Sequence, residues 1–77
     1  MKEELINIIK ILGVGCLEIV LDIQLSSFVA NSVELVEPNT IIVHRLTDEI
    51  DYELAYDDLE YSDRRIIYNT LSIYVYN

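Results

Sequence analysis

An acidic stretch at residues 48–63, in which apolar and charged positions alternate, most constrains how this chain can fold. Eight of its sixteen residues are acidic, none is basic and three are tyrosine. Successive side chains of a β-strand point to opposite faces, so the alternation predicts a strand with an apolar inner face and a solvated acidic outer face. The inner face would hold Ile50, Tyr52, Leu54 and Tyr56, and the outer face Asp51, Glu53, Ala55 and Asp57.

The first twelve residues predict an amphipathic helix. Leu5, Ile8, Ile9 and Leu12 recur at the spacing of one helical face. Gly13 follows at the position where a left-handed residue commonly ends a helix. We therefore expect a helix over residues 2–12 that ends at this glycine.

Two further segments predict antiparallel strands. Apolar and mostly polar residues alternate over Leu17–Leu25, which is typical of a strand with one buried face. Residues 33–46 contain two β-branched runs separated by the turn sequence Glu37-Pro38-Asn39-Thr40. This segment predicts a β-hairpin, and a second turn at residues 47–49 would lead into the acidic strand.

The last segment favours a helix, although residues 72–77 have a strand-like composition. Ile67, Leu71 and Tyr74 keep the helical period, and Asp58 or Ser62 would serve as N-cap. The whole chain, residues 1–77, is then one small α+β domain. We expect an N-terminal helix, a three- to four-stranded antiparallel sheet and a C-terminal helix.

The composition suggests a protein that associates with others. Of its 77 residues 52% are hydrophobic, and a chain this short buries only about 60% of its unfolded surface. Apolar surface left over on such a small domain usually marks an association site. We therefore expect a homo-oligomer or a protein that works while bound to a partner.

The charge predicts the kind of partner. The net charge is −9, of which −6 falls within residues 48–77. Such a surface repels nucleic acid and anionic membranes and attracts a basic protein. We expect no direct contact with nucleic acid or membrane.

The expected compartment is the cytoplasm. Cys16 is the only cysteine, so it cannot form an internal disulfide, as suits a reducing compartment. Glu3 and Glu4 interrupt any signal peptide, and the longest uncharged runs, of 11 and 12 residues, are too short to span a bilayer.

The sequence offers little for catalysis. His44, the only histidine, lies in an apolar run and predicts a half-buried structural residue, while Cys16 has no positive neighbour to activate it. One histidine and one cysteine are too few for a zinc site, and residues 48–63 lack the glycine of a calcium loop. A chain of this size also has little room for a substrate pocket. We expect no enzyme activity, no metal and no cofactor.

The acidic row remains as the candidate site. Alternate residues along a strand are about 6.6 Å apart, a step comparable to that of successive backbone phosphates. The candidate partner-binding residues are Glu49, Asp51, Glu53, Asp57, Asp58, Glu60 and Tyr61. The simpler alternative is a solvated face that keeps the domain soluble, with Arg64 and Arg65 pairing to Asp57, Asp58 or Glu60.

In composition the chain resembles the small acidic proteins of phages and mobile elements, including anti-CRISPR and other anti-defence inhibitors. The resemblance lies in short length, acidity, a single domain and no catalytic signature, and it assigns no residue. It implies an inhibitor that mimics nucleic acid and engages a basic, nucleic-acid-binding protein such as a defence effector. The alternative is a structural or assembly subunit that self-associates through its apolar surface, with Tyr68, Tyr74 and Tyr76 as candidates for the seam.

Overall fold

The structure, a computed structural model, describes residues 2–13, 23–26, 28–36, 39–47 and 50–76, and of residues 46, 47, 50 and 51 it describes the backbone only. The elements follow in the order α1 (Lys2–Leu12), β1 (Ile23–Gln24), β2 (Val29–Ala30), β3 (Ser32–Val36), β4 (Thr40–Thr47), β5 (Ile50–Ala55), a 3-10 helix (Tyr56–Asp58) and α2 (Tyr61–Tyr76). The α+β class is confirmed, with one helix near each end of the chain and antiparallel strands between them.

The first helix has the predicted bounds and the predicted end. Gly13 has a φ of 96°, in the left-handed region, and its N–H donates to the carbonyl of Ile9 at 2.9 Å. A glycine adopts this conformation without the steric cost that a Cβ atom brings. Leu5, Ile8 and Ile9 are buried, whereas Ile11 lies on the solvent side.

The strands form two small antiparallel sheets that are joined at Asn31. β1 pairs with β2, and the second sheet has the order β3-β4-β5. The Asn31 N–H donates to the His44 carbonyl at 2.8 Å, so the backbone bonding to β4 extends beyond the start of β3. The predicted hairpin is confirmed, because Val36 pairs with Thr40 and Val33 with Val43.

Two of the predicted strands differ in part from the observed strands. Of the predicted strand Leu17–Leu25 the structure assigns Ile23–Gln24 to β1, and residues 17–22 lie outside the described residues. The acidic strand exists as β5, and Tyr52 and Leu54 lie on the predicted inner face, because Leu54 pairs with the buried Val43. The expectation that this face is buried in the core is wrong for both, since 47% and 36% of their surfaces are exposed. Tyr56 is buried as predicted.

The position of the helices explains why Tyr52 and Leu54 are exposed. α1 packs against β3 and α2, and α2 packs against β1. The face of the sheet that the helices cover contains Val33, Ile41 and Val43. β5 lies at the far edge of the sheet, beyond this cover, so Tyr52 and Leu54 remain exposed.

The last segment is a helix up to Tyr76, as favoured, but neither proposed N-cap is correct. The helix begins at Tyr61, so Ser62 lies inside it and Asp58 ends the preceding 3-10 helix. The Arg64 N–H donates to the Glu60 carbonyl at 3.0 Å, which places Glu60 at the cap position. No helix among the described residues is long and apolar enough to cross a membrane.

Burial in the core indicates which side chains of α2 determine stability. Leu71 is fully buried in the cluster shared by both helices and the sheet. Leu71→Ala should lower the free energy of unfolding by about 2–5 kcal/mol, because it removes buried methyl groups and leaves a cavity. Urea unfolding followed by circular dichroism measures the change.

Ile73, two residues along the same helix, is the matched control because it is 60% exposed. Ile73→Ala should change the free energy of unfolding by no more than about 0.5 kcal/mol. Equal losses in the two variants would contradict this packing.

Candidate protein-binding surface

The predicted acidic residues that the structure describes lie on consecutive elements and reach solvent. Glu53 is on β5, Asp57 and Asp58 are in the 3-10 helix, and Glu60 precedes α2; all four side chains are exposed. Asp51 is placed on β5 by its backbone, and Glu49 lies outside the described residues. We define Glu53, Asp57, Asp58 and Glu60 as the acidic surface.

Most of the negative charge of this surface is unpaired. Asp57 Oδ2 accepts a hydrogen bond from Lys2 Nζ at 2.7 Å, which links the start of α1 to the 3-10 helix. Within the described part of the chain, Glu53, Asp58 and Glu60 form no ion pair. The Lys2–Asp57 pair is itself exposed, and such pairs contribute little stability. The acidic surface is therefore open to an external cation or basic side chain.

The two arginines that follow the acidic surface do not neutralise it. The prediction that Arg64 and Arg65 pair with Asp57, Asp58 or Glu60 is wrong for the described residues. Both guanidinium groups instead approach the ring of Tyr61, with their central carbons 5.9 and 6.0 Å from its centroid. These distances allow cation–π attraction. Tyr61, at 60% exposure, lies on the surface as predicted.

Tyr56 holds the start of the 3-10 helix against the sheet. Its side chain is buried, and the 3-10 helix that it begins packs on β4. Burial raises the pKa of the Tyr56 phenol above its ordinary value, and Asp57 and Tyr61 act in the same direction while Arg64 opposes them.

Asp63 is the acidic residue whose role sequence reasoning missed. Its side chain is only 3% exposed, and it accepts a hydrogen bond from the Ser26 N–H at 3.0 Å and another from the Ser26 hydroxyl at 2.7 Å. A buried carboxylate needs such partners. Its place in the first turn of α2 was the available signal, because acidic residues favour that end of a helix. The bonds tie α2 to the segment between β1 and β2.

Of the two residues considered for catalysis, His44 and Cys16, the structure describes His44. His44 is buried, and its Nε2 lies 2.9 Å from Glu34 Oε2 on the neighbouring strand. This contact fits a structural histidine that joins β3 to β4. Cys16 lies outside the described residues. No group of three histidine, cysteine or acidic side chains able to hold a metal occurs among the residues that are described.

A surface cleft lies beside α1, although we expected a chain this short to have little room for a substrate pocket. Its volume is about 470 Å³. The cleft is open to solvent. Both lysines of the chain line it, and the described lining residues include no histidine and no cysteine. The lining residues are Lys2, Glu3, Ile6, Asn7, Lys10 and Asn39.

Comparisons of the chain with protein-family models, with curated proteins and with solved structures found no match. The function must therefore be inferred from the residues of this chain. Most carboxylates of the acidic surface make no ion pair in the described structure, and the buried residues Tyr56 and Asp63 flank the part that contains Asp57, Asp58 and Glu60.

Asp63 should be important for stability, unlike the exposed acids near it. Asp63→Ala leaves the Ser26 N–H without its partner and should cost about 1–3 kcal/mol of unfolding free energy. Asp58→Ala, the matched control at an exposed position without an ion pair in the described structure, should cost less than about 0.5 kcal/mol. Urea unfolding measures the stability loss of each variant. If Asp63→Ala were more stable than Asp58→Ala, the structural role assigned to Asp63 would be contradicted.

The raised pKa of Tyr56 predicts that the folded protein loses stability at alkaline pH. The folded state favours the neutral phenol because its pKa is raised, so this stabilisation is complete below the unfolded pKa of about 10 and is lost as the pH rises through the folded value. The free energy of unfolding should fall above pH ~10, and it should fall less steeply in Tyr56→Phe. Urea unfolding at several alkaline pH values measures both slopes, and equal slopes would contradict the prediction.

Proposed function

We propose that this protein is a non-enzymatic binding protein whose acidic surface engages a basic, nucleic-acid-binding protein. In this role it competes with nucleic acid for the basic groove of its partner. The compositional resemblance to phage and mobile-element proteins supports an inhibitor of a defence effector as its biological role. The proposed compartment is the cytoplasm, where the single cysteine stays reduced.

One observation carries the proposal: a run of exposed carboxylates stands without neutralising partners. Glu53, Asp58 and Glu60 lie within eight residues of one another and form no ion pair in the described part of the chain. The two basic residues that follow the acidic surface in sequence, Arg64 and Arg65, approach Tyr61 instead.

The acidic surface also has the physical properties that such a role requires. Its charge is part of the overall −9, and a negative charge of this kind steers a basic partner toward the protein and speeds their encounter. It is held in place, because Glu53 lies on the paired strand β5, and Tyr56 and Asp63 are buried on either side of Asp58 and Glu60. A carboxylate row held in this way loses less conformational entropy on binding than a mobile tail does.

The alternative is a subunit that self-associates through α2. Ile73, Tyr74 and Tyr76 are each more than half exposed near the end of this helix. Apolar and aromatic side chains of this kind are enriched at protein interfaces. This surface does not involve the acidic residues, so the two functions can be tested separately.

The binding function predicts that capture depends on the acidic surface and on salt. The triple variant Glu53→Gln, Asp58→Asn, Glu60→Gln removes three charges that take no part in ion pairs of the described structure and should leave the fold intact. Tagged wild-type protein should capture nucleic-acid-binding proteins from a host lysate at low salt. It should release them at about 0.5 M salt, where the Debye length is only a few Å, or on addition of DNA. The triple variant should capture at least about tenfold less.

Glu3→Gln, an exposed change on α1, is paired with Glu60→Gln as the matched control for a single lost charge. Glu3→Gln should leave capture near wild type, and Glu60→Gln should reduce it. Undiminished capture by the triple variant would rule out the acidic surface.

Self-association makes the opposite prediction. Ile73→Ser with Tyr74→Ser should turn an oligomer into a monomer in sedimentation velocity, whereas the triple acidic variant should sediment as the wild type does. A wild-type protein that is monomeric at micromolar concentrations would exclude this alternative.

A further inference from the structure

Within the part of the chain that the structure describes, one of the two edges of β5 is unpaired. β5 is the last strand in the order β3-β4-β5 and pairs with β4 from Ile50 to Ala55. In the described part of the chain no other element pairs with it. Every second residue of such a strand points its N–H and C=O groups away from the sheet, where another strand can bond to them.

The two faces of this edge differ in chemistry. On one face, Tyr52 lies opposite Arg45 and Leu54 lies opposite the buried Val43. The side chains of Tyr52 and Leu54 are exposed. Glu53 lies on the other face and is exposed as well. A strand that is added to this edge therefore meets apolar side chains on one face and negative charge on the other.

A second copy of this chain is a poor partner for the edge. Antiparallel pairing of two β5 strands about a two-fold axis places residues of the same face opposite each other. Centred on Tyr52, it places Asp51 opposite Glu53; centred on Glu53, it places Glu53 opposite itself. Like charges at directly opposite positions are destabilising.

The same charges favour a strand of the opposite sign. A lysine or arginine opposite Glu53 makes a favourable cross-strand pair, since Cβ atoms at opposite positions are about 4.5–5.5 Å apart. An apolar residue beside it packs on Tyr52 or Leu54. Asp57 and Asp58 follow directly after the strand and continue the negative charge past its end.

We propose that β5 binds its partner by strand addition, and that the added strand alternates basic and apolar residues. This deepens the proposed function, on which it rests: the acidic surface recognises the basic side chains, and the strand edge supplies backbone hydrogen bonds. Binding by strand addition takes its affinity from the main chain and its specificity from alternate side chains. The partner is therefore a protein with an accessible basic strand or an extended basic segment.

The test uses the intact protein and a synthetic eight-residue peptide in which lysine and valine alternate. Fluorescence anisotropy measures affinity, and hydrogen exchange followed by NMR measures protection of the β5 amides. A glutamate–valine peptide is the charge control. Two further peptides carry N-methyl groups on all lysines or on all valines, which keeps their charge but removes alternate hydrogen-bond donors.

Strand addition predicts that the lysine–valine peptide binds, that the glutamate–valine peptide does not, and that the amides of residues 50–55 become protected. One N-methylated peptide should bind about tenfold or more weakly, because its blocked donors face β5. The other should bind nearly as well as the parent, because its N-methyl groups face solvent.

Equal binding of the two N-methylated peptides, or no binding of the parent peptide, overturns strand addition. Neither result touches the proposed function if the triple acidic variant still loses its captured partner. A triple variant that captures as the wild type does refutes the proposed function itself, whatever the peptides show.

Discussion

The fold depends on the burial of one aliphatic layer between the two helices and the sheet. Leu5, Ile8 and Ile9 of α1 meet Ile67 and Leu71 of α2 over the inner face of the strands, and all five are buried. Among the described residues this layer belongs to the single cluster of buried apolar side chains, and a chain of 77 residues can bury only a small core. The helices lie over β1 and β3, so β5 is left at an uncovered edge. The exposure of Tyr52 and Leu54 follows from this limited cover.

The acidic surface is held in place without using its own charges. Tyr56 is buried at one end of the segment, and Asp63, bound by Ser26, is buried at the other. Glu53 on β5, and Asp58 and Glu60 between these anchors, make no ion pair in the described structure, and Lys2 reaches Asp57 alone. The protein therefore carries four exposed carboxylates within residues 53–60, and three of them make no ion pair in the described structure. We interpret that arrangement as the basis for binding a basic partner.

The sequence predicted elements better than it predicted their environment. The helical period and Gly13 located α1, and the β-branched runs located the hairpin of β3 and β4, because these signals are local. Alternation placed a strand at β5 but assigned Tyr52 and Leu54 to the core, since a period of two cannot show whether a helix covers that part of the sheet. Similarly, the position of Asp63 in the first turn of α2 suggests a role at the helix end, but it does not show that this one of the eight acids is buried. Its partner, Ser26, is 37 residues away. The arginine contacts with Tyr61 depend on side-chain geometry that charge counting overlooks.

The most direct test of the central claim, that the acidic surface is unused by the fold, is the salt dependence of stability in the isolated protein. Urea unfolding at about 0.02 M and about 0.3 M sodium chloride compares the free energy of unfolding with the carboxylates unscreened and screened. If the exposed carboxylates only repel one another, added salt should raise that free energy, and the triple variant Glu53→Gln, Asp58→Asn, Glu60→Gln should show a smaller rise. A free energy that falls with salt in the wild type and not in the variant would mean that these charges stabilise the fold through attractive pairs, which would contradict the account.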